Sequence, residues 1–265
     1  MLKVLCFVLS FSFLSYCESK RLVAFPGYGG NLERAKLIRN SLLAYPSVEW
    51  DCLLFVYRSD VPSDFECTIV LSLGERYGEH LRKLHPELIE SNKYSLVVVH
   101  LEDVEFSGIS YTSLSWSALE HFMIANKIDA VSPRIKGSPH AVMLPLEPPS
   151  LSLKTCPGLF GDDSNCTWSG WATPFIEIQL TIFQPMAWLC FWDMLDSENT
   201  EGWGYDFCFK RLCNVSLAVL SDLTAVHTQA GGRSAGGEAA AQMKFWEEKR
   251  AKGTSAFHKP CGAII

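Results

Sequence analysis

The segment Gly202-Trp203-Gly204-Tyr205-Asp206 combines residue types that suit a small-molecule site. Its two glycines let the backbone approach a ligand, its indole offers a flat stacking surface, and its carboxylate can handle a proton. This combination is typical of sugar sites. The alternative is a turn in which Trp203 fills the core and Asp206 caps the following helix. The flanking glycines favour an exposed Trp203 and therefore the first interpretation.

A second group of candidate residues consists of Glu102, Asp103 and Glu105, which follow a predicted strand over residues 94–100. In open α/β sheets, ligands bind at the C-terminal ends of the strands. Acids in a row are costly to hold together unless a cation neutralises them. Asp103 and Glu105 share one face of an extended chain, and their hard oxygen ligands suit Mn²⁺ or Mg²⁺. An ordinary acidic turn is the alternative.

The N-terminal part of the chain predicts a βαβ unit. An apolar strand over residues 21–25 is followed by a turn, by a helix with Asn31 as its N-cap, and by a buried strand over residues 50–57. The first turn of such a unit is where the sheet receives a nucleotide. Three glycines occupy this turn: Gly27, Gly29 and Gly30. They form neither a dinucleotide fingerprint nor a Walker loop, so dinucleotide or ATP binding through those motifs is not supported. From its position, we expect this turn, with Arg34, to contact a diphosphate. A tight connection beside a solvated helix face is the alternative.

The remaining patterns predict an α/β fold. Residues 173–183 are apolar and rich in β-formers. Further strands are expected at residues 68–73, 130–134 and 217–220, and further helices up to residue 92 and at 115–127 and 186–195. At 265 residues and 48% hydrophobic composition, the chain can build one large core. We therefore expect one domain over residues 18–230, with a surface loop at 144–165 and a flexible tail with a short helix at 231–265.

Four segments of the chain together resemble a known protein family. They are Cys166-Thr167-Trp168-Ser169-Gly170-Trp171, the run from Phe183 to Trp192, Gly202 to Asp206, and Val226-His227. Their order and spacing resemble a eukaryotic family of uncharacterised proteins labelled lysine-ketoglutarate-reductase-related. The core of that family looks like a GT-A glycosyltransferase, and the resemblance covers residues 21–230. The dinucleotide fingerprint is absent, so the label's oxidoreductase activity has no support here.

This resemblance implies a GT-A-like, Rossmann-like mixed sheet flanked by helices and a nucleotide-sugar donor. It places the divalent metal on Asp103, on Glu102 or Glu105, and on His227. Leu101 stands where the family can carry its first metal-binding aspartate. The departure supports an alternative, a catalytically inactive secreted glycan-binding or interaction protein of the same fold.

The acceptor side follows from the same resemblance, because Gly-Trp-Gly followed by an acid is similar to the acceptor-side loop of GT-A galactosyltransferases. Trp203, with Gly202 and Gly204, would pack against a glycan or glycoconjugate acceptor. Asp206 would be the general base, which implies inversion at the anomeric carbon.

The N-terminal residues indicate the secretory pathway. Residues 1–17 place an apolar run behind a lysine and are too short to span a membrane, so we expect a cleaved signal peptide and no transmembrane span afterwards. Asn165-Cys166-Thr167 and Asn214-Val215-Ser216 are glycosylation sequons. We expect the protein in the ER or Golgi lumen, or secreted.

Cysteine content and charge limit the alternatives further. Eight of the ten cysteines lie beyond the signal segment, an even number that fits disulfides, although 105 pairings are open. Cys52 and Cys67 could equally be buried free thiols. The net charge of −6 and the pI of about 5.7 argue against a nucleic-acid surface.

Overall fold

The computed structural model describes residues 20–58, 65–73, 76–88, 93–107, 114–137, 152–153, 168–200, 202 and 204–228. The helices are α1 (Leu32–Leu42), α2 (Tyr77–Lys83), α3 (Trp116–Ala125), α4 (Pro185–Asp193) and α5 (Tyr205–Cys213). The strands are β1 (Lys20–Tyr28), β2 (Trp50–Val56), β3 (Thr68–Leu71), β4 (Tyr94–His100), β5 (Val104–Ser107), β6 (Ala130–Lys136), β7 (Ser152–Leu153), β8 (Gly170–Thr173), β9 (Leu180–Phe183) and β10 (Leu217–His227).

These strands form one mixed sheet in the order β3-β2-β1-β4-β9-β6-β10-β8-β7, and β5 pairs with β10. The strands β1 to β4 run parallel, whereas β9 runs antiparallel to both β4 and β6. Apolar side chains cover both faces of the sheet and form two clusters. Parallel strands buried on both faces need helices on each side. The predicted fold class, an α/β mixed sheet flanked by helices, is therefore confirmed.

Local sequence explains the first helix and the central strands. Asn31 is the N-cap of α1, and its side chain accepts hydrogen bonds from the amides of Glu33 (2.8 Å) and Arg34 (3.4 Å), as predicted. In β4, the β-branched residues Val97, Val98 and Val99 are all buried. Valine suits a strand that packs on both faces.

Several element boundaries differ from the sequence prediction. Strand β1 continues to Tyr28, so the predicted turn after residue 25 begins later. Helix α2 ends at Lys83 and is followed by a short 3₁₀ turn, Pro86–Leu88, instead of extending to residue 92. Pro86 explains the early end, because proline disfavours helical backbone in the residue before it.

Strand β10 has 11 residues and is much longer than the predicted strand over residues 217–220. Its first part pairs with β8 and its last part with β5, while β6 lies beside it throughout. The register with β6 shifts between Leu220 and Thr224. A bulge of this kind re-aims the residues that follow it.

Two disulfides lie in the described part of the chain. Cys52 is bonded to Cys67, with 15 residues of separation, and Cys190 to Cys213, with 23. Of the two alternatives open for Cys52 and Cys67, a disulfide or buried free thiols, the structure has the disulfide. Because they sit on β2 and just before β3, the bond ties the sheet edge together.

The domain limits at residues 18 and 230 stay predictions. The signal segment (1–17), the tail (231–265) and the sequon at Asn165 lie outside the described residues, as does nearly all of the loop over residues 144–165. Among the helices that the structure describes, none combines the length and apolar character needed to cross a membrane.

Candidate functional site

The turn that carries the predicted acids, residues 101–104, is called the acidic turn here, and its backbone is held on several sides. The Leu101 amide donates to the Gln179 carbonyl (2.8 Å), and the Val104 amide donates to the Leu101 carbonyl (3.1 Å). The Asp103 carbonyl accepts from the Thr228 amide (2.9 Å) and hydroxyl (3.0 Å). The acidic turn is therefore fixed between the ends of β4, β9 and β10.

A buried histidine, His100, forms a hydrogen bond with the acidic turn. His100 Nε2 lies 2.9 Å from the Val104 carbonyl, which can only accept, so Nε2 carries the proton. Nδ1 is then an acceptor and accepts a hydrogen bond from the Tyr45 hydroxyl (2.9 Å). Burial lowers the pKa of His100 to about 4, although the hydrogen bond to the Val104 carbonyl and the Asp103 charge raise it. The ring, which stacks on Phe25 with centroids 4.9 Å apart, is thus neutral at physiological pH.

Glu102 points back toward β1 and α1. Its carboxylate forms an ion pair with Arg34, from the first turn of α1. Burial and the Asp103 charge raise the pKa of Glu102, whereas the Arg34 charge lowers it and so stabilises the carboxylate form. Gly27 has φ 103°, and a methyl group built on it would lie 3.5 Å from Glu102 Oε2. A side chain at this position would be strained as well as close to the carboxylate.

Asp103 connects the acidic turn to β10. Asp103 Oδ1 lies 3.2 Å from His227 Nε2, and Oδ2 lies 3.5 Å from Arg34. Burial alone would raise the pKa of Asp103, but the hydrogen bond and charge of His227, together with Arg34, lower it overall. Strand β5 makes this pair possible, because its pairing with β10 sets His227 opposite Val104.

Glu105 occupies a different position from the other predicted ligands. It lies on β5, opposite Val226, and its Oε1 accepts from Asn40 Nδ2 at 3.1 Å. Its assignment as a metal ligand stays a prediction.

Two of the predicted ligands, Asp103 and His227, have a spacing that a divalent cation could use. Two ligands at right angles, each about 2.1 Å from a Mg²⁺ ion, are about 3 Å apart, and the 3.2 Å between Asp103 and His227 fits such a pair. Glu102 is engaged by Arg34 instead. Within the described residues, no three His, Cys, Asp or Glu side chains form a metal-binding group. Mg²⁺ commonly takes one or two protein carboxylates and fills its shell with phosphate oxygens and water, so a two-residue set fits this cation class.

The predicted acceptor side is called the glycine loop here: residues 199–206, of which 201 and 203 lie outside the described part. Asn199 is fully buried, and its Oδ1 accepts from the Gly202 amide at 2.9 Å. Gly202 has φ 75°, and a methyl group built on it would lie 2.8 Å from Tyr77 Cδ1. Glycine at this position is therefore required by the backbone and by Tyr77. Gly204, with φ 86°, is the N-cap of α5.

Asp206 lies in the first turn of α5 and is 6% exposed. The alternative prediction, in which Asp206 itself caps the helix, is wrong, because Gly204 holds that position. A carboxylate in a first helical turn is stabilised by the helix dipole.

Tyr77 is where the acidic turn and the glycine loop meet. Its hydroxyl donates to the Ile178 carbonyl (2.7 Å) in the segment before β9. Burial raises the pKa of Tyr77, and the negative charges of Asp206 and Glu102 raise it further. Both carboxylates therefore lie near one side chain. The structure brings together two acids that are 104 positions apart in sequence.

Three side chains of this region were not identified from the sequence: Tyr77, His100 and Thr228. A polar residue that ends the valine run of β4 was a usable signal for His100. Nothing in the sequence pattern marks Tyr77 or Thr228. Trp203, the predicted stacking residue, lies outside the described residues.

The donor-side glycines have structural roles of their own. A methyl group built on Gly29 would lie 2.1 Å from the Tyr57 hydroxyl, so the Tyr57 ring covers this residue. Gly30 has φ 79°. These features agree with the tight-connection alternative and leave diphosphate binding as a prediction.

Comparisons with known proteins give structural neighbours only. No protein-family model and no curated protein matches the sequence. S. aureus TarS 1–349 is 15% identical, with 91% of this chain and 75% of that chain covered and a TM-score of 0.47. GalNAc-T7, solved with UDP, GalNAc and Mn²⁺, is 9% identical, with 78% and 43% covered and a TM-score of 0.47. A197 from STIV is 13% identical, with 78% and 84% covered and a TM-score of 0.41. A likeness this weak carries no argument about fold family, substrate or activity.

Proposed function

We propose that this chain is a glycosyltransferase that moves a sugar from a nucleotide-sugar donor to a hydroxyl acceptor, with Mn²⁺ or Mg²⁺ as cofactor. The observation that supports it is the convergence of the acidic turn and the glycine loop on Tyr77. In this proposal, Asp103 and His227 are the metal-binding pair, and Asp206 is a separate buried carboxylate at the same edge of the sheet. Such an edge is where α/β folds bind their ligands.

On the donor side, Asp103 and His227 hold the cation, with Glu102 or Glu105 as further proposed ligands. A divalent ion bound there neutralises negative charge on the diphosphate leaving group. Arg34 lies beside the same acids, and its guanidinium group is of the kind that pairs with phosphate oxygens. In this proposal, the turn that approaches the diphosphate contains Gly27, Gly29 and Gly30.

On the acceptor side, Asp206 takes the proton from the attacking hydroxyl. General-base catalysis of this kind contributes typically about 10²- to 10⁴-fold in rate. Gly202, Trp203 and Gly204 present the acceptor ring to Asp206. A base that activates the acceptor directly, with no covalent glycosyl-enzyme intermediate, gives inversion at the anomeric carbon.

A second candidate is a catalytically inactive glycan-binding or interaction protein. The ion pair between Arg34 and Glu102 favours it, because a protein cation already neutralises this acid. Leu101 favours it too, since an apolar residue replaces the first acid that the family resemblance implies. We propose the secretory pathway as the location in both cases; the two disulfides are compatible with it.

Thermal unfolding tests the two candidates. The protein would be melted with nucleoside diphosphates and their sugars, with and without MnCl₂. A ligand that binds only the folded state stabilises it by about 2.7 kcal/mol at 100 times its Kd, and each kcal/mol raises Tm by about 2–4 °C at this size. We expect a rise with one nucleotide that requires Mn²⁺ and is lost in Asp103→Asn and His227→Gln.

The matched control is Asp193→Ala, because Asp193 is an exposed carboxylate at the end of α4. It should keep the full shift. An Asp206→Asn variant should bind the nucleotide normally and lose transfer to the acceptor. If no nucleotide raises Tm in the presence of Mn²⁺, the transferase proposal is wrong and the binding protein is favoured.

A further inference from the structure

Asn214 lies in the connection between α5 and β10 and is exposed to solvent. It is the C-cap of α5, with φ 52° and ψ 43°, and its amide donates to the Lys210 carbonyl. Asparagine tolerates this left-handed conformation better than most residues, which explains its backbone. The described residues provide no hydrogen-bond partner for its side-chain amide, so the helix end does not need that amide.

Ser216, two residues later, is also exposed, and the fold uses only its backbone. Its amide donates to Asp129 Oδ2 (2.7 Å), and its carbonyl accepts from the amides of Asp129 (2.9 Å) and Ala130 (3.3 Å). Within the described part of the chain its hydroxyl forms no hydrogen bond. An exposed amide and an exposed hydroxyl thus stand at the spacing that N-glycosylation requires, with a residue other than proline between them.

The surroundings of Asn214 indicate an oxidising compartment. Cys213, its direct neighbour, is bonded to Cys190, and Cys52 is bonded to Cys67. Disulfides form and persist in secretory compartments, where N-glycosylation also takes place. We propose that Asn214 carries an N-linked glycan.

The modification is a group transfer from a polyprenyl-diphosphate-linked oligosaccharide in the lumen. The Asn214 side-chain nitrogen forms a bond with the anomeric carbon of the first sugar. The bond between that carbon and the diphosphate oxygen breaks, and the lipid diphosphate leaves with the electron pair. The nitrogen loses one proton, so an N-glycosidic amide and a free lipid diphosphate remain.

The glycan lies away from the candidate site. Asn214 is three residues before the start of β10, whereas His227 is its last residue. The neighbouring strand β6 runs from Ala130, opposite Leu217, to Lys136, opposite Val226, so the two ends of β10 are about 20 Å apart at about 3.3 Å per β6 residue. The glycan therefore covers the end of the sheet opposite the acidic turn and leaves the ligand edge open.

The test is expression of the full chain in a eukaryotic secretory host, followed by peptide:N-glycosidase digestion and mass spectrometry. We expect a glycan on Asn214 in the wild type, with conversion of Asn214 to Asp on enzymatic release. The modification should be lost in Asn214→Asp and in Ser216→Ala. Asn214→Asp keeps a residue that tolerates the left-handed conformation, and Ser216→Ala leaves the backbone contacts in place. Both variants should therefore fold.

Asn165→Gln is the control for the other sequon and should leave the Asn214 peptide glycosylated. A full-length chain in which Asn214 stays unmodified overturns the proposal, whether the chain fails to enter the lumen or enters it without receiving the glycan. Unchanged mobility of Ser216→Ala relative to the wild type overturns it as well. The outcome does not depend on the proposed transferase activity, since no nucleotide or acceptor is used.

Discussion

The acidic turn and the glycine loop face the same ligand edge but are stabilised in different ways. Backbone groups of the acidic turn form hydrogen bonds with the residue before β9, with the residue after β10 and with the buried His100 ring. The glycine loop depends on left-handed glycines and on the close approach of Tyr77 and Gly78. Because metal ligands must hold their geometry within narrow limits, the first arrangement suits a cation. The second holds the described residues of the proposed acceptor-binding loop through close contacts with α2, whereas the acidic turn is held by hydrogen bonds beside strand ends.

The largest expected effect comes from removing the Cys190–Cys213 bond, which joins α4 to the last residue of α5, the helix that follows the glycine loop. Cys190→Ala with Cys213→Ala should lower the free energy of unfolding by about 3 kcal/mol, because a cross-link over this length restricts the unfolded chain. Hydrogen exchange should lose protection in α5 and the glycine loop. The acidic turn should keep its protection.

Cys52→Ala with Cys67→Ala is the matched control. This bond closes a loop of similar length, 15 residues against 23, so the loss of stability should be similar. Protection should then fall in β2 and β3. If both variants lost protection equally in the two regions, α5 with the glycine loop and β2 with β3 would not be separate unfolding units.

An intermediate effect is expected for Gly78→Ala. In an exposed helix, this substitution normally stabilises by about 1 kcal/mol. At Gly78, a methyl group would lie 2.2 Å from the Asn199 carbonyl oxygen and 2.9 Å from that of Thr200. We expect a destabilisation of about 2 kcal/mol from this overpacking, measured by urea unfolding. A stabilised variant would contradict the close contact between α2 and the glycine loop.

The smallest effect is expected for Tyr45→Phe, which acts on the acidic turn and not on the glycine loop. The variant leaves buried His100 Nδ1 without its donor and should cost about 1–2 kcal/mol. Protection should fall in the acidic turn and stay unchanged in the glycine loop. Tyr94→Phe serves as the control, because it removes a hydroxyl bonded to Asp51 (2.8 Å) at the opposite end of β4. If Tyr94→Phe alters the acidic turn as much as Tyr45→Phe, His100 does not position it.

The sequence was sufficient for the fold class and for the regular elements that rest on local patterns. Asn31 as a helix cap and the valine run of β4 are local signals, and both were read correctly. Strand β5 was missed because four residues after an acidic turn carry no periodicity of their own. Its pairing with β10 is a contact between residues more than 100 positions apart. The length of β10 was underestimated for the same reason, because its last residues are strand only through pairing with distant residues.

For the candidate site, the sequence identified the charged residues but not which side chains they contact. That Arg34 would pair with Glu102 depends on where α1 crosses the end of β4, which no spacing reveals. The role of Tyr77 depends on packing between α2, β9 and the glycine loop. Side chains whose importance lies in contacts between distant elements leave no local trace in the sequence.

The bulge in β10 has a consequence for evolution of the site. Side chains alternate between the faces of a strand, so a slip of one residue moves every later side chain to the opposite face. The register shift between Leu220 and Thr224 comes before His227 in the chain, so it determines which residue stands beside Asp103. A single insertion or deletion between those two points would present Val226 or Thr228 to the acid instead. A change several residues away, in a stretch with no chemistry of its own, could thus remove the imidazole while leaving every predicted ligand in the sequence.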